Sequence, residues 1–196
     1  MKTLLVTGFD PFLQFKMNPT DEIAKRLNGL QIGDYQIVSK TLPVDYALSE
    51  VEIVRYIQEC KPDAVMNLGL AAGRSKITPE RIAINIKDGA ADNTGKTMQD
   101  VAITEQGPAG YFSTLPIRNM VNALNEKGYP AEISNSAGTY LCNNVMYTVL
   151  HTFPEIKQAG FIHIPANHEM VVEGGKYPSW SLRDLEESIK ICIETL

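Results

Sequence analysis

Apolar and polar residues follow two different periods along the chain. Short apolar runs of strand length occur at residues 3–8 (TLLVTG), 35–42 (YQIVSKTL), 63–70 (DAVMNLGL) and 160–165 (GFIHIP), and segments with apolar residues at helical spacing separate them. An alternation of this kind is typical of α/β proteins with a mostly parallel sheet. We therefore predict a three-layer α/β/α fold in which helices cover both faces of a twisted central sheet.

The segments of helical period predict the outer layers. The first helix, over residues 21–30, follows Asn18-Pro19-Thr20 and carries acidic residues in its first turn. Further helices are predicted over residues 47–60, 115–128, 142–153 and 181–196, and a short strand over residues 130–136. Residues 87–110 are rich in Gly, Asp and Asn, and they predict a long excursion that contains a short hairpin.

Composition limits the classes of protein to consider. The chain has 196 residues, 44% of them hydrophobic, which is enough for one packed core and predicts a single domain over residues 1–196. A net charge of -5 without a basic stripe argues against nucleic acid or an anionic membrane as a partner. Apolar runs fall short of the roughly 20 residues that cross a bilayer, and the first is too short for a signal peptide. We therefore expect a cytoplasmic protein.

Cysteine usage indicates neither a disulfide framework nor a zinc site. Cys60, Cys142 and Cys192 are widely spaced, form no Cys-x-x-Cys pair, and have no histidine at metal-ligand spacing. Each is therefore either a packing residue or a nucleophile. Cys60 and Cys192, within predicted helices, are interpreted as packing residues.

Cys142 differs from the other two because it lies at the predicted start of a helix, after Gly138. Ligands of open α/β sheets bind beyond the carboxyl ends of the strands, so the loops after Gly8, Leu70, Ser134 and Pro165 are expected to converge there. The unpaired N–H groups and the dipole of a helix start favour a thiolate, and they can stabilise an oxyanion. A buried, inert cysteine is the alternative interpretation.

A cysteine nucleophile needs a base and a group that orients the base. His163 lies near the carboxyl end of a predicted strand, whereas His151 is expected late in a helix and facing solvent. Glu80 follows the central strand by one loop and is the candidate orienting carboxylate. The alternatives are a core histidine at His163 and a surface glutamate paired with the neighbouring Arg81.

Six ordered blocks carry a resemblance to a known family. LVTGFDPF, ITPERIAIN, DN-x-GK, YFSTLP, SNSAGTYLCN and GFIHIP together resemble the pyroglutamyl peptidases of type I, also called pyrrolidone-carboxylate peptidases, which are cysteine peptidases. The match runs from Lys2 to about Pro165, and PSWSL with the last helix resembles the family's closing segment. Six blocks in order are far more specific than one short motif.

The resemblance implies a function and a triad. Cys142 would be the nucleophile, His163 the base and Glu80 the orienting group of an enzyme that removes N-terminal pyroglutamate from peptides, without a metal or other cofactor. The family is commonly oligomeric, so a homo-oligomer, such as a tetramer, is expected. The resemblance also implies an apolar slot for the lactam ring. Its candidate contacts are Phe9, Phe12, Leu70, Tyr140 and Leu141.

The chain also departs from the family pattern. Leu13-Gln14 replaces a usual pair of glycines, and Asp88-Gly89-Ala90 lacks the arginine that the family places near the reacting carbonyl. Ala166–Met170 replaces an aromatic-aliphatic-PEQ sequence, which makes His168 a possible rival base. Two alternatives therefore stay open: a family member with an intact triad but an altered pocket that binds a ligand or has weak activity, and a hydrolase of another small acyl group.

Overall fold

The computed structural model describes residues 1–12, 15–172 and 174–196. Within these residues a six-stranded sheet lies at the centre. Its strands, in spatial order, are β2 (Gln31–Ile32), β3 (Tyr35–Leu42), β1 (Lys2–Phe9), β4 (Ala64–Leu70), β10 (Gln158–Ile164) and β5 (Thr78–Pro79). The pairs β3–β1, β1–β4 and β4–β10 are parallel, whereas β2 and β5 are antiparallel to their neighbours. The prediction of a mostly parallel sheet is confirmed.

Helices cover both faces of this sheet. One face packs against α1 (Pro19–Leu27), α3 (Ile117–Glu126) and α6 (Leu182–Glu194), and the other against α2 (Tyr46–Cys60) and α4 (Leu141–Thr152). Side chains alternate across the strands, so Leu4 of β1 is buried on the first face and Leu5 on the second. The three-layer α/β/α prediction is confirmed.

Small strand pairs lie outside the central sheet. They are β6 (Ile82–Ile84) with β9 (Gly110–Phe112), β7 (Lys87–Gly89) with β8 (Met98–Val101), and β11 (Ala166–Asn167) with β12 (Ser179–Trp180). The short helix α5 (His168–Val172) directly follows β11. The predicted excursion over residues 87–110 therefore does contain a hairpin, formed by β7 and β8.

The predicted strand over residues 130–136 is wrong. Ala131 and Ser134 form isolated bridges with Ile77 and Glu80 instead of a continuous ladder. The Ser134 hydroxyl donates to Ser136 O, and the Ser136 hydroxyl accepts from Gly138 N. Such local side-chain hydrogen bonds turn the backbone and compete with an extended strand.

Candidate active site

Cys142 occupies the first turn of α4 and is partly exposed. Gly138 has φ +77°, a left-handed conformation that glycine adopts without the strain a side chain would add, and it turns the chain before the helix. Side chains cap α1, α2 and α6 at Asn18, Asp45 and Ser181, but Tyr140 at the start of α4 gives no side-chain cap. The first N–H groups of α4 therefore stay available beside the thiol, where they favour negative charge.

A glycine of the central sheet makes room for the thiol. A Cβ added at Gly69 would lie 3.0 Å from Cys142 Sγ and 2.5 Å from Phe161 Cε1. Gly69 is paired in register with His163 of β10. The thiol thus rests on β4 at the position that faces the candidate base on the neighbouring strand.

His163 is buried, and its imidazole lies between the other two members of the predicted triad. Its Nδ1 is 2.7 Å from Glu80 Oε1. An ionised carboxylate only accepts hydrogen bonds, so Nδ1 carries a proton and Nε2 is left for the thiol. Burial disfavours the charged ring, but the charge of Cys142 and its hydrogen bond, together with Glu80, outweigh burial and raise the pKa of His163 to about 9.

Glu80 is fully buried between β5 and β6, and its backbone N–H donates to Phe161 O. Burial raises the pKa of its carboxyl, but the hydrogen bond and charge of His163, with further contributions from the nearby Ser134 and Arg74 side chains, outweigh burial and keep that pKa below its usual value. Oε2 makes no direct hydrogen bond of good geometry within the described residues, because the nearby Ser134 hydroxyl donates to Ser136 O.

A small cavity of about 50 Å³ opens beside the thiol. Its walls are Phe9, Phe12, Asn18, Val44, Leu70, Tyr140, Leu141 and Cys142. The five predicted slot residues all belong to this set, which confirms that the loops after β1 and β4 and the start of α4 converge. Asn18 was not predicted; its amide donates to Asp10 O and its oxygen accepts from Thr20 N, so it serves the cap of α1.

The model of the family described as pyroglutamyl peptidase matches residues 2–196. The chain belongs to the pyroglutamyl peptidase family. A pyrrolidone-carboxylate peptidase from Lysinibacillus sphaericus is 52% identical over 196 residues, covering 99% of this chain and 96% of the relative. One from Halalkalibacterium halodurans is 48% identical and covers 98% of both chains. The pyrrolidone carboxyl peptidase structure from Thermococcus litoralis superposes with a TM-score of 0.95 at 42% identity, covering 100% of this chain and 93% of that one.

This member of the pyroglutamyl peptidase family has an arginine at its site that sequence reasoning missed. Arg74 Nη1 is 2.7 Å from Glu80 Oε1. Arg81, which follows Glu80 in the chain, donates instead to Asn135 Oδ1. The alternative interpretation of Glu80 as a surface residue paired with Arg81 is therefore wrong. The sequence did contain a signal for this arginine. Gly73-Arg74 lies in the loop after the central strand, and the same loop leads to Glu80.

The other two histidines have partners of their own. His151 was expected to face solvent, but its ring is half-buried, stacks on Tyr147 and has Nδ1 2.8 Å from the Tyr111 hydroxyl. The His151 ring is shielded from solvent because β9 packs against the end of α4. His168, the first residue of α5, has Nδ1 2.9 Å from Oγ of Ser179 in β12. Its part as a rival base stays a prediction.

The segment that lacks the family arginine packs against the wall of the cavity. Ala90 O accepts a hydrogen bond from the Tyr46 hydroxyl, and Ala91 O from the Tyr140 hydroxyl. A Cβ added at Gly89 would lie 2.8 Å from both Tyr140 Cδ2 and Tyr46 Oη, so glycine permits this close approach. The change at Leu13-Gln14 lies outside the described residues.

Two classes of site are not found in the part of the chain that the structure describes. Residues 1–12, 15–172 and 174–196 hold no group of His, Cys, Asp and Glu side chains arranged to bind a metal ion. The same residues contain no helix that is long and apolar enough to cross a membrane.

Proposed function

We propose that this chain is a cysteine peptidase that removes N-terminal pyroglutamate from peptides through Cys142, His163 and Glu80. The observation that carries the proposal is the partly exposed Cys142 thiol at a helix start, beside a buried His163–Glu80 pair and on the wall of an apolar cavity. Its membership of the pyroglutamyl peptidase family supports the same substrate.

Acylation begins with the ion pair of the Cys142 thiolate and the His163 imidazolium. Sγ attacks the carbonyl carbon that joins pyroglutamate to the next residue, and the negative charge passes to the carbonyl oxygen. The free N–H groups at the start of α4 are suited to stabilise this oxyanion. The tetrahedral intermediate then expels the amine, His163 gives its Nε2 proton to that amine as the C–N bond breaks, and a thioester remains on Cys142.

Deacylation reverses these roles. His163, now neutral, takes a proton from water through Nε2 while the water oxygen attacks the thioester carbon. Collapse of the second intermediate releases pyroglutamate and restores the thiolate beside the imidazolium. Glu80 holds the Nδ1 proton throughout, so that Nε2 always faces the reacting atoms.

Specificity is proposed to arise from the size and polarity of the cavity. Phe9, Phe12, Leu70, Tyr140 and Leu141 offer mostly apolar walls to a small flat ring. An ordinary N-terminus carries a positive charge, and burying that charge against apolar side chains without a partner is costly. The uncharged lactam avoids this cost.

Turnover of small amides tests the proposal. The protein should release a chromogenic amine from its pyroglutamyl amide at least about 100-fold faster, in kcat/KM, than from the prolyl amide, since the two rings match in size but differ in charge. The amine release is followed by absorbance. Equal rates on both amides, or a well-folded protein that turns over neither, would contradict the proposal.

A second candidate is a hydrolase of another small acyl group. Two observations favour it. The wall of the cavity is mostly apolar, and the Asn18 side chain already hydrogen-bonds to Asp10 O and Thr20 N, so these groups are not available to a lactam ring. The cyclopentanecarbonyl amide has the same ring size without the lactam N–H and C=O. Faster turnover of this amide than of the pyroglutamyl amide would favour the second candidate.

We further propose that the protein folds as one domain, acts in the cytoplasm and forms a homo-oligomer. The two apolar clusters that share the central sheet support one domain. Leu48 and Val51 of α2 and Phe112 of β9 are large apolar side chains exposed to solvent, and each is available for contact between subunits.

A further inference from the structure

The loop after β4 directs an arginine onto the triad. The backbone N–H of Arg74 donates to Ala71 O and closes a turn. The Trp180 indole N–H donates to the backbone oxygen of the next residue, Ser75. Held in this way, Arg74 Nη1 lies 2.7 Å from Glu80 Oε1 and 2.6 Å from Thr78 Oγ1. Its side chain is 33% exposed, whereas the Glu80 side chain is fully buried.

Glu80 Oε1 therefore accepts hydrogen bonds from two cations, His163 and Arg74. An ionised carboxylate that is buried without a partner is strongly disfavoured, and no hydrogen bond then fixes the orientation of its oxygens. The arginine spans from solvent to the buried oxygen, so it adds a charge-assisted hydrogen bond while its own charge keeps contact with water.

We propose that Arg74 is a positioning residue, which holds the Glu80 carboxylate ionised and oriented toward His163 Nδ1 in every step of the reaction. Arg74 acts through Glu80, since its guanidinium donates to Glu80 and Thr78. The expected effect of Arg74 on kcat rests on the proposed peptidase function. Its expected effect on the reactivity of the Cys142 thiol can be measured without any substrate.

The need for a second cation follows from the reaction itself. His163 is charged before acylation and neutral after it has given its Nε2 proton to the leaving amine. With His163 neutral, the buried Glu80 would lose its charged partner, and its affinity for a proton would increase. The guanidinium stays charged at all relevant pH values, so it keeps Glu80 an acceptor while the Nδ1 proton stays in place.

The test compares Arg74→Ala and Arg74→Lys with Arg81→Ala as the matched control. Arg81 is adjacent to Glu80 in the chain, but its guanidinium donates to Asn135. We expect Arg74→Ala to lower kcat about 10- to 100-fold with KM changed less than about threefold, because positioning acts on the chemical step. Arg74→Lys should recover part of the loss, and added guanidinium ion at non-denaturing concentrations should rescue Arg74→Ala but not Arg81→Ala.

Alkylation of Cys142 by iodoacetamide, followed by mass spectrometry against pH, gives a readout without substrate. The groups that face Glu80 are His163 from β10, Arg74 from the loop after β4 and Ser134 from the loop before α4, with Cys142 beyond His163. Loss of Arg74 lets Glu80 bind a proton at higher pH, which removes support for the imidazolium and thus for the thiolate. The acid limb of the alkylation profile should move up by about one pH unit.

The proposal is overturned if Arg74→Ala, folded as judged by thermal unfolding, matches Arg81→Ala in both kcat and alkylation profile. It is also overturned if guanidinium fails to rescue while Arg74→Lys is as impaired as Arg74→Ala. If Arg74→Ala does not fold, the same comparison is made with Arg74→Lys and Arg74→Gln. A wild-type protein without peptidase activity would count against the proposed function, and the alkylation profiles would still decide the part of Arg74.

Discussion

Replacing Cys142 by serine is expected to lower kcat/KM on the pyroglutamyl amide at least about 10⁴-fold, the scale of loss when the nucleophile of a hydrolase is removed. Serine has nearly the same shape, but its hydroxyl keeps its proton at neutral pH, so the ion pair with His163 does not form. The partly exposed position at the start of α4 accepts the smaller oxygen without a buried cavity. The fold should therefore persist, as measured by the thermal unfolding midpoint.

The control for this prediction is Cys60→Ser. Cys60 ends α2, is also partly buried and packs beside the same apolar cluster as Cys142. Its replacement should leave kcat/KM within about twofold of the wild type, since surface substitutions away from special features are mild. Equal losses in the two variants, or full activity of Cys142→Ser, would refute the assignment of the nucleophile.

Gly69→Ala is expected to impair both activity and stability. The added Cβ would lie 2.5 Å from the Phe161 ring and 3.0 Å from Cys142 Sγ, and both distances are shorter than ordinary contacts. Overpacking a buried strand of this kind costs about 1–3 kcal/mol of stability. Displacement of the thiol relative to His163 should lower kcat about 100-fold, because misplacement by about 1 Å has that effect on a positioned group.

Gly73→Ala is the matched control in the loop that follows the same strand. A Cβ added there meets nothing within 4 Å. This variant should therefore retain the wild-type kcat and unfolding midpoint. Chemical denaturation and kcat measurements on both variants decide the matter: a Gly69→Ala protein with normal kcat would show that the thiol does not depend on the room that Gly69 provides.

The elements that build the site could be predicted because local patterns specify them. Cys142 follows Gly138 at the junction of a turn and an apolar segment of helical period, and a helix start has known electrostatic consequences for a thiol. The strands that bear Gly69 and His163 are continuous apolar runs, typical of a parallel sheet that is buried on both faces. Parallel strands then bring their carboxyl ends to one edge.

The contacts of long polar side chains could not be predicted in the same way. Glu80 has Arg81 as its chain neighbour, but the backbone at Glu80 directs the carboxylate into the interior and leaves Arg81 to Asn135. Arg74 reaches the same carboxylate from six residues earlier through a turn of the loop. Such pairings depend on rotamers and loop geometry, for which the hydrophobic pattern carries no information.

The same limit explains the error over residues 130–136. A strand over PAEISNS is predicted, but the Ser134 hydroxyl donates to Ser136 O and accepts from Ser136 N, and these local hydrogen bonds turn the chain after Ser134. The segment still contributes to the site, because Arg81 N donates to Ser134 O and Ser134 N donates to Pro79 O on either side of Glu80. An irregular segment thus fixes the backbone that carries the orienting carboxylate.

The most direct measurement is the capture of the acyl-enzyme. The protein is mixed with the chromogenic pyroglutamyl amide and quenched in acid during the first turnovers. It is then digested and analysed by mass spectrometry. The account predicts a peptide containing Cys142 whose mass is increased by one pyroglutamyl group, and which loses that group on treatment with hydroxylamine. Turnover of the amide with the group on another residue, and Cys142 unmodified and still reactive toward iodoacetamide, would contradict it.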